Sequence, residues 1–341
     1  MASQCSSFRA KSAACALTAL ALTFAAHADV TFQDVINPAD PTFNQELGIN
    51  NSGLIAGYFG SGQAGHPNKG YTLPYSTANP ITSGFVNENF PGSAQTQVTG
   101  LNNIGTTVGF FSDTNNGPGL DNNFGWVNVG GVFTEANNPN ASPVAGLFTD
   151  QLLGVNNSDI AAGFYVADDG TTHGYTYNIG TKTFSGPIDD PNGVGATTVA
   201  AINNSGELAG FFTNSLTGAT EGFLENGGTF TTINVPGFTT TVLLGLNNIG
   251  QAVGFDMDAA GNMHGILCNT STLFCAQIDD PNGVNTTTFN GLNDKGQIVG
   301  FYANGAGNTI GMVATVPEPS MFLLTGCGAL LIGFLRRRRR A

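Results

Sequence analysis

The side chains that could carry chemistry in this sequence are few, and their spacing sets what they could do. Between residues 29 and 315 the only cysteines are Cys268 and Cys275. Six residues separate them, at the end of one expected strand and the start of the next, which sets them opposite each other across a hairpin. In an exported protein that arrangement favours a disulfide. A zinc site is disfavoured, because it needs four ligands and no second Cys or His pair accompanies them. His173 and His264 each precede the glycine of a recurring aromatic run, in a slot held elsewhere by Lys69, Phe124, Glu221 and Ile310. A symmetric metal or catalytic ring would repeat its ligands around the chain, and this slot does not. With His66, which sits beside Pro67, these residues read as structural or exposed histidines.

The carboxylates give a similar picture. Asp256, Asp258 and Asn262 have the outline of a calcium loop, but Ala260 stands at its fifth position and Leu267 where a closing Glu would be needed. Asp189-Asp190 and Asp279-Asp280, each followed by Pro-Asn-Gly, read first as turns, with calcium left open and no other cofactor called for. No Arg lies between residues 29 and 318, so the guanidinium clamp that a sialidase uses on a substrate carboxylate is missing. Glycoside hydrolysis needs two facing carboxylates, and no pair stands out among the acids. A G-x-S-x-G nucleophile elbow is absent as well. These residues assign no catalytic site and no metal site.

The elements that carry them are set by a repeat. LGINNSGLIAGYF from Leu47 recurs as TGLNNIGTTVGFF from Thr99, LGVNNSDIAAGFY from Leu153, AINNSGELAGFF from Ala201, LGLNNIGQAVGFD from Leu244 and NGLNDKGQIVGFY from Asn290. The first Asn of each copy (Asn50, Asn102, Asn156, Asn203, Asn247, Asn293) follows the last by 44 to 54 residues, a period typical of propellers and solenoids. Asn and Gly tolerate turn conformations, so each copy reads as a β-hairpin whose turn is the N-N-x-G. The strand glycines that follow (Gly57, Gly109, Gly163, Gly210, Gly254, Gly300) mark a bulge or a close backbone approach. An aromatic run such as GYTYN from Gly174, and a further run such as TFTTINVPG from Thr229, bring each unit to four strands.

The sixth unit ends at GMVAT without a fourth strand, and the domain opens with VTFQDVINP from Val30, which matches what is missing. The expectation is an all-β, six-bladed β-propeller-like domain over residues 29–315, with Val30–Ile36 closing the blade built from Asn290 to Thr315. A β-solenoid is the second choice.

The two ends read as targeting segments. Residues 1–28 have Arg9 and Lys11, an apolar run and Ala26-His27-Ala28, the pattern of a signal peptide cut by signal peptidase between Ala28 and Asp29. Residues 316–341 hold Pro317-Glu318-Pro319, an uncharged run over 321–335, and Arg336, Arg337, Arg338, Arg339 and Arg340. That run is expected to be a short hydrophobic transmembrane helix, with the arginines on the cytoplasmic side. Between the ends, three lysines face twenty-three acids, a charge of about −20 that excludes nucleic acid as a partner.

Residues 316–341 resemble the PEP-CTERM sorting signal of Gram-negative bacteria. The resemblance implies an exosortase-like processing partner, Pro317, Glu318 and Pro319 as the sorting motif, transient anchoring in the inner membrane, and delivery to the cell surface or extracellular matrix. INNSGELAGFF with EGFLENGGTFTTINVPG resembles the HAF-family extracellular repeat, which has no catalytic residues to carry over. The main reading is thus an exported, non-catalytic surface or matrix protein. The alternative is a carbohydrate-binding or carbohydrate-cleaving propeller acting on exopolysaccharide, suggested by its many Asn, Asp and aromatic side chains.

Overall fold

A computed structural model describes residues 30–63 and 65–317 of the protein. Each N-N-x-G segment turns the chain because its first Asn caps the turn. The Oδ1 of Asn102, for example, accepts hydrogen bonds from the backbone N–H of Ile104 at 3.1 Å and of Thr106 at 2.9 Å. Where Asp159 replaces the turn glycine it adopts φ 53°, a conformation that Asp tolerates better than most residues.

Six four-stranded antiparallel sheets result, here called blades one to six. Their first strands are Asn44–Ile49, Gln95–Leu101, Asp150–Val155, Thr197–Ile202, Thr240–Leu246 and Thr287–Leu292. Blades four and five are also linked by one parallel pair, Thr220 with Thr240. In blade six Thr31–Val35 pairs antiparallel with Thr309–Thr315, so the first strand of the described chain completes the last sheet.

Register is the same in every blade. The strand glycine lies opposite Glu46, Val98, Leu152, Val199, Leu243 or Phe289, and the first strand bulges immediately after that pair. A methyl on Gly254 would collide with the carbonyl oxygen of Val242, and one on Gly109 with that of Gln97, which is why the repeat keeps glycine there. The apolar side chains fill the spaces between blades. Ala56 of blade one packs with Val98, Phe111 and Trp126 of blade two, and Ala162 of blade three with Val199, Phe212 and Phe223 of blade four. Both faces of a sheet are covered, so the sequence shows little of the alternation of a half-exposed strand.

Two circles of hydrogen bonds close the array. The Nδ2 of Asn50 donates to the carbonyl of Asn102 at 2.9 Å, and the same bond passes through Asn156, Asn203, Asn247 and Asn293, which returns it to Asn50 at 3.0 Å. One residue on, the backbone N–H of Asn51 donates to Asn103 Oδ1 at 2.8 Å. This circle continues through Asn157, Asn204, Asn248 and Asp294, whose N–H donates to Asn51 Oδ1. The Asn-Asn pair therefore joins neighbouring blades as well as turning the chain.

One part of the expected architecture is corrected. The described residues are all strand, turn and loop, with no helix among them and hence none long and apolar enough to cross a membrane. The run 321–335 lies outside the described residues. As a helix its fifteen residues would reach roughly 22 Å, against the ~30 Å of a bilayer's hydrocarbon core. The C-terminal transmembrane helix, the transient inner-membrane anchoring and surface delivery drawn from it, and the exosortase-like and signal-peptidase partnerships are accordingly set aside.

Candidate functional site

The axis of the ring leaves little room. Gly48, Gly100, Gly154, Ala201, Gly245 and Gly291 bring neighbouring first strands close together, and a methyl on Gly100 would lie 2.7 Å from the Leu153 carbonyl oxygen. The axial spaces beside this constriction and inside the asparagine circles measure about 70 Å³ each, far below the ~300 Å³ of the smallest usual ligand pockets. A larger cavity, of about 600 Å³, opens at the ends where the first strands begin, across blades one, two and three.

Its wall comes from a break in the sixfold pattern. The first-strand residue just before the one facing the strand glycine is Gln45, Gln97 and Gln151 in blades one to three, but Thr198, Val242 and Thr288 in blades four to six. Of these, Gln97 and Gln151 line the cavity, together with Gln63 and Gln95. Gln45 reaches it only through Tyr58, a lining residue whose hydroxyl donates to Gln45 Oε1 at 2.7 Å. Gln151 donates to Asn123 Oδ1 at 3.2 Å and keeps its own carbonyl. Gln97 has no hydrogen-bond partner among the described residues. Asn68 adds a buried Oδ1 that also lacks a donor. Half-buried Phe43 and Phe110 supply apolar surface beside these amides.

Among the described residues the only carboxylate lining this cavity is Asp121. Burial, the largest single influence, pushes its pKa up. Hydrogen bonds from Thr114, from the backbone of Asn116 and Gly117 and from Gln95 together outweigh that and hold it below the usual carboxylate range. Asp121 ties the loop 113–121 to the wall of the cavity. It stays ionised and fully engaged, so it is poorly suited to hold a proton for a general acid.

The residues singled out from sequence lie elsewhere. His173 Nδ1 sits 2.9 Å from Asp189 Oδ2, and His264 Nδ1 2.8 Å from Asp279 Oδ2. The first Asp of each Asp-Asp pair thus meets the histidine on the third strand of its blade. The second, Asp190 or Asp280, accepts from the N–H two residues on and shapes the turn. The His264 pKa is raised, chiefly by its hydrogen bond with Asp279. His66 pairs with Asp40 at 2.8 Å.

Asp258 is used up within its own turn by Ala260 and Asn262, and Asp256 by Gln277. Among the described residues no group of three His, Cys, Asp or Glu side chains comes together as a metal site. Cys268 and Cys275 are paired across their two strands and bonded, with S–S 2.01 Å. Pro317 is exposed at the end of the described chain. Ala28, Asp29, Glu318, Pro319 and Arg336 to Arg340 lie outside it.

The fold places the chain among the β-propellers. No family model and no curated protein matches the sequence. Among solved structures, a putative TolB from Agrobacterium tumefaciens is similar with a TM-score of 0.52 and 12% identity, over 82% of this chain and 92% of that one. The Trypanosoma rangeli sialidase is similar with a TM-score of 0.50 and 7% identity, over 84% of this chain and 59% of that one. At such identities the likeness is one of fold.

Proposed function

We propose that this protein is a carbohydrate-binding β-propeller without catalytic activity, and that the cavity across blades one to three holds an uncharged stretch of a glycan. The observation that carries this reading is the glutamine wall of the cavity, Gln97 and Gln151 at equivalent positions of successive blades with Gln63 and Gln95, beside aromatic surface and an unpartnered amide oxygen. Sugars present hydroxyls, which both donate and accept, and C–H faces, which pack on aromatic rings. Primary amides match the hydroxyls because each offers two donors and an acceptor. Phe43 and Phe110 match the C–H faces.

The non-catalytic half rests on the single, fully engaged Asp121, where glycosidic cleavage would need a second carboxylate across the sugar. A neutral ligand also agrees with the charge of about −20 over residues 29–318, which disfavours acidic polymers at long range. The test is a glycan array with residues 30–317, followed by a reducing-sugar assay on every glycan bound. Saturable binding of neutral glycans without release of reducing ends supports the reading. An empty array refutes the binding half, and turnover refutes the non-catalytic half.

A further inference from the structure

A second cavity, of about 540 Å³, lies beside the first, where blade one meets the chain leading to blade two. Its apolar lining is Phe59, Phe85 and Phe90, all half-buried, with Tyr71 beneath. The two cavities share a wall. Phe90 of the second stacks on Phe111 of the first, with ring centroids 3.9 Å apart and planes 1° from parallel. Asn68 lines one cavity and the next residue, Lys69, lines the other.

Lys69 is one of three lysines against twenty-three acids between residues 29 and 318, and it holds the slot that carries histidine in blades three and five. In those blades the histidine is paired with Asp189 or Asp279. In blade one the residue equivalent to that Asp is Asn89, whose Oδ1 accepts from the Gly70 N–H at 2.9 Å and carries no charge. Lys69 spends one N–H on the Ala94 carbonyl at 2.8 Å and forms no ion pair among the described residues. The repeat that sets a carboxylate beside each of these histidines has left this ammonium without one, in an aromatic-lined cavity next to the amide-lined one.

We infer that the second cavity is a subsite for a sugar bearing an anionic substituent, a carboxylate or a sulfate, on the same glycan whose neutral part occupies the first. This rests on the proposed glycan-binding function. The aromatic lining takes the face of the ring, and the two remaining N–H donors of Lys69 take the anion in a charge-assisted hydrogen bond. The ligand class becomes glycans in which a neutral stretch adjoins a uronate or sulfated residue. Global repulsion from the acidic domain is screened beyond about 8 Å at physiological ionic strength, so the local contact with Lys69 decides.

The test is an array printing neutral oligosaccharides of several hexoses, each beside counterparts carrying a uronate or a sulfate, probed with wild-type protein, Lys69→Gln and Lys69→Arg. A half-buried charge-assisted contact gives a preference for the anionic member of roughly three- to tenfold. That preference should vanish in Lys69→Gln, persist in Lys69→Arg, and leave binding of the neutral members unchanged in all three proteins. The uronate and sulfate spots show which anion is taken. Binding of neutral members with no preference, or a preference that survives in Lys69→Gln, overturns the subsite and leaves the first cavity's reading intact. No binding to any spot overturns both.

Discussion

Removing the Asn102 side chain should damage the fold far more than removing that of its neighbour Asn103. Asn102 is almost fully buried and makes four hydrogen bonds: Nδ2 donates to the Asn156 carbonyl and to Asp159 Oδ1, both at 2.9 Å, and Oδ1 accepts from the N–H of Ile104 and Thr106. Each bond is worth about 1 kcal/mol net, and a buried partner left unsatisfied costs about 1 to 3 kcal/mol. Asn102→Ala loses all four bonds and leaves at least the Thr106 N–H in that state, while the Asn156 carbonyl keeps the bond it accepts from the Asp159 N–H. The expected loss is about 3 to 5 kcal/mol, a large share of the roughly 5 to 15 kcal/mol of a typical domain.

Asn103 is exposed and accepts one bond, from the Asn51 N–H at 2.8 Å, so Asn103→Ala should cost about 1 kcal/mol. Asn102→Asp keeps the two accepted bonds but turns a carboxylate toward the Asn156 carbonyl and Asp159, and should be no more stable than the alanine variant. Urea unfolding of the three variants, followed by tryptophan fluorescence from Trp126, gives the differences directly. If Asn102→Ala falls within about 1 kcal/mol of Asn103→Ala, the circle of asparagines is not what closes the ring.

Other consequences can be checked on the same protein. Gly254→Ala should cost about 3 kcal/mol or more in urea unfolding, since its methyl meets the Val242 backbone. Burial pushes the carboxyl of Glu46 up to about 8 and that of Asp150 up to about 7, in both cases against a hydrogen bond from a tyrosine, Tyr71 or Tyr175. Both are therefore neutral in the fold at a pH where the unfolded chain has ionised them. Their contribution is complete below about pH 4 and is lost as pH rises through the folded values, so Glu46→Gln should gain stability relative to wild type between about pH 5 and about pH 9 in paired denaturation curves. Binding at the first cavity should change little between about pH 5 and about pH 8, because its one carboxylate, Asp121, is held below that range; a titration series across those pH values checks this.

What the sequence disclosed follows from what repeats in it. The N-N-x-G turns, the strand glycines and the odd strand at Val30 are local signals, and turn chemistry alone was enough to place the hairpins around Asn50, Asn102 and the other copies. The hydrogen bonds from Asn50 to Asn102 and from Asn51 to Asn103 were out of reach, because they join residues 52 positions apart and need the radial arrangement first. His173 and Asp189 were each noticed, but their pairing depends on the end of one strand lying over the start of another. The glutamines were missed for a different reason. A search for chemistry looked for acids, histidines and cysteines, whereas the informative break was Gln45, Gln97 and Gln151 against Thr198, Val242 and Thr288. That contrast was present in the sequence once the copies were extended five residues toward the N-terminus of each Asn-Asn pair. The helix expected over 321–335 came from apolar composition, which speaks for burial in some medium and does not fix a conformation or a span.

The central claim is that the glutamine-lined cavity binds sugar, and isothermal titration of the strongest array ligand into wild-type protein and Gln97→Ala tests it most directly. Gln97 has a free amide and touches no partner whose loss would disturb the fold. Removing its hydrogen bonds to ligand hydroxyls at about 1 to 2 kcal/mol predicts one saturable site in the wild type and binding roughly five- to thirtyfold weaker in the variant, with unfolding unchanged. Equal affinity in the two proteins would place any sugar somewhere other than this cavity, and absence of binding in both would leave it without the ligand its amides and aromatic rings are argued to take.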